Sequence, residues 1–309
     1  MAVRDVALSL YEEQERIIRA AVQSASALFS LLDPAAFTAS WVRDQIGDRL
    51  FLTVARAQEL AAMAADVYTS SILAEVGVPP APEAAVLPRS LVGIASDGRP
   101  LGSLLLSPLI TASIAVAGGA TPAQAKARGI SSLTRIVDTQ VSDAGRTATS
   151  LGVVTRPKVG YVRLVNPGAC ARCVILAGRF YRWSDGFLRH PMCHCRNIPE
   201  LEEVEGLRPD NDPMTHFNSL SEAEQNRQFT PAGAQAIRDG ADIFRVVNAR
   251  RKSLGMSPAG LLTTTEATTK RGGLGLKPGQ ARLMPEAIYK IARDREDALR
   301  LLNTYGFIR

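Results

Sequence analysis

Every cysteine in the chain falls between Cys170 and Cys195, in the stretch CARCVILAGRFYRWSDGFLRHPMCHC, which also carries two of the three histidines. A CxxC opens it, HxxCxC closes it, and an aromatic and glycine-containing spacer lies between. A CxxC sets two thiolates on one tight knuckle, and zinc takes thiolate sulfur and imidazole nitrogen in a tetrahedron. The shell closes only if the spacer turns back on itself, so this stretch dictates a hairpin. The spacing nominates Cys170, Cys173 and Cys195 as ligands, with either Cys193 or His190 as the fourth. His194 would face the other way in a regular strand. The HxxCxC end departs from the paired CxxC of a zinc ribbon, and free buried thiols or a redox pair are the alternatives. A complete set of protein ligands leaves no position for water, which makes the expected zinc a structural one, folding a segment too loop-rich to hold itself together.

The flanking sequence sets the fold class. Thr121 and Pro122 supply an N-cap and a first-turn proline, and no further proline occurs until Pro157. Ile130, Leu133, Ile136, Val137, Val141 and Ala144 share one face, which predicts a helix of about eight turns ending near Gly152. The periodicity then changes to the alternation of VGYVRLV at Val159 to Val165, a strand running into the first CxxC. Phe180 to Trp183 reads as a second strand and Arg196 to Ile198 as the start of a third. The expected class is mainly α with a small β insert (α+β).

Upstream, Leu10, Ile17, Ile18, Ala21, Val22, Ala25, Leu28, Phe29 and Leu32 mark an amphipathic helix that Asp33 and Pro34 stop. A second, longer helix is predicted through Trp41, Val42, Ile46, Leu50, Val54, Leu60, Ala64, Val67, Tyr68 and Ile72 to Gly77. Residues 1–77 therefore read as an antiparallel helical hairpin with alanine-rich stripes. The proline-rich GVPPAPEAAVLPR makes 78–90 the expected linker. A core of 91–205 follows, with one helix from about Pro108 to Ala117 ahead of the long one.

Beyond Pro199 the chain reads as a polar surface connection, with Pro209 and Pro213 in it and no compact domain after it. Helical patterns then run from Ser221 to Gln228, from Thr230 to Lys252 with a break at Gly240, and from Pro285 to Leu302. Ser219 and Glu222 match a capping box. The TTTEATTKRGGLGLKPGQ stretch, within Ser253 to Arg282, reads as flexible or ordered only against a partner. Residues 206–309 are thus expected to form a helical, basic, partly flexible region.

The chain is 46% hydrophobic and 21% charged, enough to bury a sizeable core, and its net charge of +6 favours acidic partners. No secretory signal is read at the start, and the apolar run Leu101 to Ala117 is too short to span a bilayer. The expectation is a soluble chain without membrane contact, in which clustered cysteines bind metal rather than form disulfides.

The combination ACARCVILAG, RFYRW and FLRHPMCHC resembles the Mu protein F-like minor head proteins of tailed bacteriophages. Their motif is a CxxC, a leucine-glycine step and HPxCxC; here these are Cys170 and Cys173, Leu176 to Gly178, and His190, Pro191, Cys193 and Cys195. The resemblance covers Thr121 to Pro199. GAQAIRDGADIFRVVNARR and LMPEAIYKIARD are similar to the longer actinobacterial-phage members, labelled minor capsid protein or capsid maturation protease. The resemblance implies a virion protein inside the phage head, in the host cytoplasm during assembly. There it would bind the portal protein and other head proteins and act in head assembly and DNA packaging or ejection.

Two other functions compete. A capsid maturation protease needs a nucleophile and a base; there is no GxSxG, and outside the cysteine cluster His216 is the remaining histidine. A DNA-binding internal head protein would use Arg245, Arg250, Arg251, Lys252, Lys270, Arg271, Lys277, Arg282, Lys290, Arg293, Arg295 and Arg300 against packaged DNA. Few aromatics interleave with these charges, which favours a solvated face or a portal-docking surface.

Overall fold

The computed structural model describes residues 3–77, 81–165, 169–185, 193, 195–202, 212–250, 255–256, 260–266 and 281–308. The chain is mainly helical and divides into two compact units, one of Met1–Leu164 with Arg179–Pro209, the other of Val165–Gly178 with Asp210–Arg309. These divisions differ from the expected ones. Residues 81–90 of the expected linker lie within the first unit, where the Glu83 N–H donates to the Thr155 carbonyl at 2.7 Å, and residues 78–80 lie outside the described residues.

The first unit is built on three long helices, α1 (Val3–Ser30), α3 (Ile46–Val76) and α6 (Pro122–Val154), with α2 (Phe37–Arg43) between the first two and α4 (Leu101–Leu105) and α5 (Ser107–Ala117) before the third. Phe29, Leu32, Ile46, Leu50, Leu133 and Val137 meet in one buried cluster, and Val6 and Leu10 meet Tyr68 and Ile72 in another. The start of α1 thus lies by the end of α3, the antiparallel hairpin that the periodicity predicts. Helix α6 extends about 50 Å. Thr121 and Gln124 form a reciprocal capping box at its start, worth about 1 kcal/mol. Close approach to α1 depends on Gly129, where a Cβ would sit 2.6 Å from the Phe29 ring.

The expected second helix is two. Gln45 adopts a left-handed conformation (φ +50°) and the Asp44 N–H closes α2 on the Ser40 carbonyl at 3.0 Å, so α3 starts afresh at Ile46. Trp41 then folds over Gly47, where an added Cβ would stand 3.0 Å from the indole.

After α6 come β1 (Val159–Leu164), the short helix α7 (Ala171–Val174), β2 (Phe180–Tyr181) and β3 (Arg196–Leu201). The strands form an antiparallel sheet in the order β2-β1-β3, with Leu164 opposite Arg196 and Tyr161 opposite Tyr181. Ile198 of β3 packs with Leu10 and Ile72, and Val159 and Tyr161 pack with Leu73 and Val153, so the small sheet lies on the helices. The β insert forms as expected.

The second unit contains α8 (Pro213–Ser219), α9 (Glu222–Phe229), α10 (Pro231–Arg238) and α11 (Ile243–Asn248), then β4 (Gly255–Met256), β5 (Leu262–Thr264) and β6 (Arg282–Leu283), then α12 (Pro285–Ile291) and α13 (Arg295–Thr304). Val174, Phe217, Phe229, Ile237, Val246, Ile288, Leu302 and Phe307 form its core. This corrects the expectation of no compact domain after Pro199.

Four local expectations also change. Pro213 opens a helix, because the Asp212 carboxylate accepts from the N–H groups of Met214 and Thr215, both at 2.9 Å. The capping box is Ser221 with Glu224, not Ser219 with Glu222; the Ser219 hydroxyl instead donates to the His216 carbonyl at 2.7 Å. Of the TTTEATTKRGGLGLKPGQ stretch expected to be flexible, Thr263 and Thr264 lie in β5, the middle strand of the antiparallel sheet β4-β5-β6, and residues 267–280 lie outside the described residues. The last helix is split at Asp294, which caps α13 by accepting from the Asp297 N–H at 2.8 Å. Among the described residues, no helix is long and apolar enough to cross a membrane.

Candidate metal centre

The first CxxC forms its knuckle at the start of α7. The Cys170 carbonyl accepts from the N–H groups of Cys173 at 2.9 Å and Val174 at 3.1 Å, and Gly178 (φ +66°) turns the chain after it. This winding sets Cys170 Sγ 3.6 Å from Cys173 Sγ. Two sulfurs on one tetrahedral zinc, each about 2.3 Å from the metal, stand about 3.8 Å apart, so the spacing suits a shared ion.

Cys193 and Cys195 precede β3 two residues apart, a spacing that puts two side chains on one side of an extended chain. Cys173, Cys193 and Cys195 are buried, and their sulfurs all lie within 4.8 Å of one another. No disulfide joins any of the four cysteines. Three sulfurs held this close are suited to a metal ion, since buried thiolates repel unless a cation compensates them. Cys193, one of two alternatives for the fourth ligand, belongs to the three-sulfur group; Cys170 stands beside its Cys173 member. His190 and His194 lie outside the described residues.

Two buried arginines of the first unit attend the Cys193–Cys195 segment. Arg146 of α6 donates through Nη1 to the Cys193 carbonyl at 2.6 Å and the Cys195 carbonyl at 3.3 Å. Its Nε and Nη2 grip Asp143 Oδ1 at 3.1 and 2.7 Å. Arg196, next to Cys195, pairs with Glu15 at 3.2 Å and lies over the Tyr11 ring at 5.6 Å. Burial first, then the positive charge of Arg146, push the Arg196 guanidinium down to about 10. Neither arginine is legible as a site residue from sequence. The available signal was a charged pair, Asp143 and Arg146, one turn apart and beside the apolar face of α6.

His216, the candidate protease base, sits half-buried in α8. Its Nε2 is 3.4 Å from Gln228 Oε1, and no contact with a serine or a carboxylate is found for its ring among the described residues. Burial lowers its pKa below the ordinary 6.5, with the Gln228 contact opposing. The unfolded chain therefore binds the proton more readily than the folded one. The His216 contribution to stability is complete above about pH 6.5 and is lost as pH falls through the lowered folded value. An NMR titration of the ring will give a midpoint below 6.5, and His216→Gln will flatten the loss of stability on acidification.

The basic residues of the second unit turn largely to internal partners. Arg295 pairs with Asp239 at 3.0 Å, Arg293 and Arg300 share Asp297 at 3.2 and 2.5 Å, and Arg250 pairs with Glu286. Arg245 lies 3.9 Å from Asp242, and Arg282 is buried 4.0 Å over the Phe307 ring, donating to the Tyr305 carbonyl at 2.8 Å. Lys290 is exposed. Arg251, Lys252, Lys270, Arg271 and Lys277 lie outside the described residues. Carboxylates thus balance much of the charge that a DNA-binding face would need.

No protein-family model, curated protein or solved structure matches the chain.

Proposed function

We propose that the chain is a structural minor head protein of a tailed bacteriophage, of the Mu F-like type. It binds the portal protein inside the head, meets other head proteins there, and acts in head assembly and DNA packaging or ejection. The observation that carries this reading is the convergence of Cys173 with Cys193 and Cys195. The two ends of the CxxC and HPxCxC motif lie far apart in sequence, and a shared role for them requires their sulfurs to meet. The order of elements, a long capped helix, a strand, the knuckle and a returning strand, supports the same reading.

Within it, the metal is zinc. Cys173, Cys193 and Cys195 supply three thiolates and Cys170 the fourth, with His190 as the alternative. Thiolate donors suit zinc, which has no redox chemistry of its own, and a closed shell makes the ion a folding element rather than a hydrolytic one. The docking activity then belongs to the helical surfaces.

Mass spectrometry of purified virions and cosedimentation of the full chain with the portal protein of the same phage test the proposal. The chain is expected in virions at low copy and bound to the portal. Its absence from both virions and assembly intermediates would refute the reading. Duplex-DNA binding that weakens steeply with salt would favour an internal DNA-binding protein, and loss of capsid processing on His216→Ala would favour the maturation protease.

A further inference from the structure

Where α6 meets the segment before α4, hydrogen bonds lead from the exposed Ser96 to the buried Arg146. Ser96 donates its backbone N–H to Gln140 Oε1 at 2.8 Å and its hydroxyl to Asp143 Oδ2 at 2.6 Å. The other oxygen of Asp143 holds Arg146 through two nitrogens. Arg146 spends its remaining nitrogen on the two cysteine carbonyls. Separately, Gln58 of α3 holds the same segment two and three residues earlier, donating to the Ile94 carbonyl and accepting from the Gly93 N–H, both at 3.0 Å.

This arrangement is expensive to maintain. The Arg146 side chain is 2% exposed and Asp143 is 12% exposed. Taking a charged pair out of water costs several kcal/mol, and apolar replacements of similar volume are often as stable. What an apolar pair cannot do is donate to two carbonyls at once. Both acceptors belong to cysteines of the three-sulfur group, and fixing the carbonyls at 193 and 195 fixes the backbone from which their side chains project. Hydrogen-bond partners of ligand residues orient the ligands and tune affinity in metal proteins.

We propose that Arg146, braced by Asp143 and Ser96, is a positioning residue for the metal centre: it clamps the Cys193 and Cys195 carbonyls so that both sulfurs face the ion before it binds. The inference rests on the cysteines binding a metal, as proposed above.

Co²⁺ serves as the probe, because thiolate-bound cobalt gives a sulfur-to-metal charge-transfer band and ligand-field bands that report geometry. The full-length native chain is expected to bind one Co²⁺ with both sets of bands. Arg146→Met should keep the charge-transfer band, shift the ligand-field bands and weaken Co²⁺ binding by about 10- to 100-fold. Arg146→Lys, which keeps one donor, should recover part of both. Asp143→Asn, which loosens the brace and leaves the guanidinium in place, should give a smaller loss in the same direction, and it carries the test if Arg146→Met does not fold.

Failures of the two claims separate cleanly. Absence of any thiolate–cobalt band in the native chain removes the metal reading, and the inference falls with it. Native bands, with folded Arg146→Met and Asp143→Asn proteins that match the native affinity within twofold and the native spectrum, leave the metal site standing and overturn the role of Arg146.

Discussion

Chelation of the metal from the full chain is expected to lower its stability by more than about 4 kcal/mol, the range in which loss of a structural ion falls. For a chain of this size that is a fall in melting temperature of about 10 °C. Cys195→Ser should reproduce most of the effect without chelator, because Cys195 is fully buried and one of the three clustered sulfurs. Cys173→Ser and Cys193→Ser should behave alike. The fourth position is decided by comparing Cys170→Ser with His190→Ala, the first expected to match Cys195→Ser and the second to leave the melting temperature unchanged. Thermal melts followed by circular dichroism, with and without chelator and after zinc is restored, give all of these values.

The second large effect lies in the helical core. Phe29 has no exposed surface and rests against Gly129, so Phe29→Ala should destabilise the first unit by about 3–5 kcal/mol through lost burial and the cavity left behind. Gly129→Ala alone drives a Cβ to 2.6 Å from the ring and should cost about 1–3 kcal/mol, despite the better helix propensity of alanine. In the Phe29→Ala background the sign should reverse. The methyl then enters vacated space, and the propensity gain of about 1 kcal/mol remains. Denaturant unfolding followed by the fluorescence of the buried Trp41 measures the cycle. Additive losses would mean that the ring and the glycine do not meet.

The elements that form as their residues imply are those whose signals are local and redundant. Thr121, Pro122 and Gln124 each mark the start of α6, and the alternation of VGYVRL marks β1 as surely. Elements that depend on a single unusual backbone angle do not announce themselves. The break after α2 comes at Asp44 and Gln45, neither a glycine nor a proline, and the apolar rhythm of Trp41, Ile46 and Leu50 continues across it. The strands of the second sheet are two or three residues long, too short for alternation to register. The division at Asp294 was available, since an aspartate ahead of Arg295, Glu296 and Asp297 is a helix start that outweighs the apolar spacing through Ile291 and Ala298.

The site was legible in part for a similar reason. Ligand spacing names the cysteines, because CxxC geometry is set within one turn. The choice of Cys193 or His190 as the fourth ligand depends on how the returning chain folds back, which spacing does not encode. Arg146 reaches carbonyls 47 and 49 residues further on, a relation no local pattern encodes. The charge at the C-terminal end misleads in the opposite sense, since sequence adds up Arg293, Arg295 and Arg300 while the fold sets Asp239 and Asp297 against them.

The central claim is that the cysteines of Cys170–Cys195 hold a structural zinc ion. Elemental analysis of the full chain, purified without added metal and combined with a thiol count on the native protein, tests it most directly. The account predicts one zinc per chain and four thiols that react only after chelation or unfolding. A folded, fully stable chain with no bound metal and the same thiol reactivity with or without chelator would contradict it.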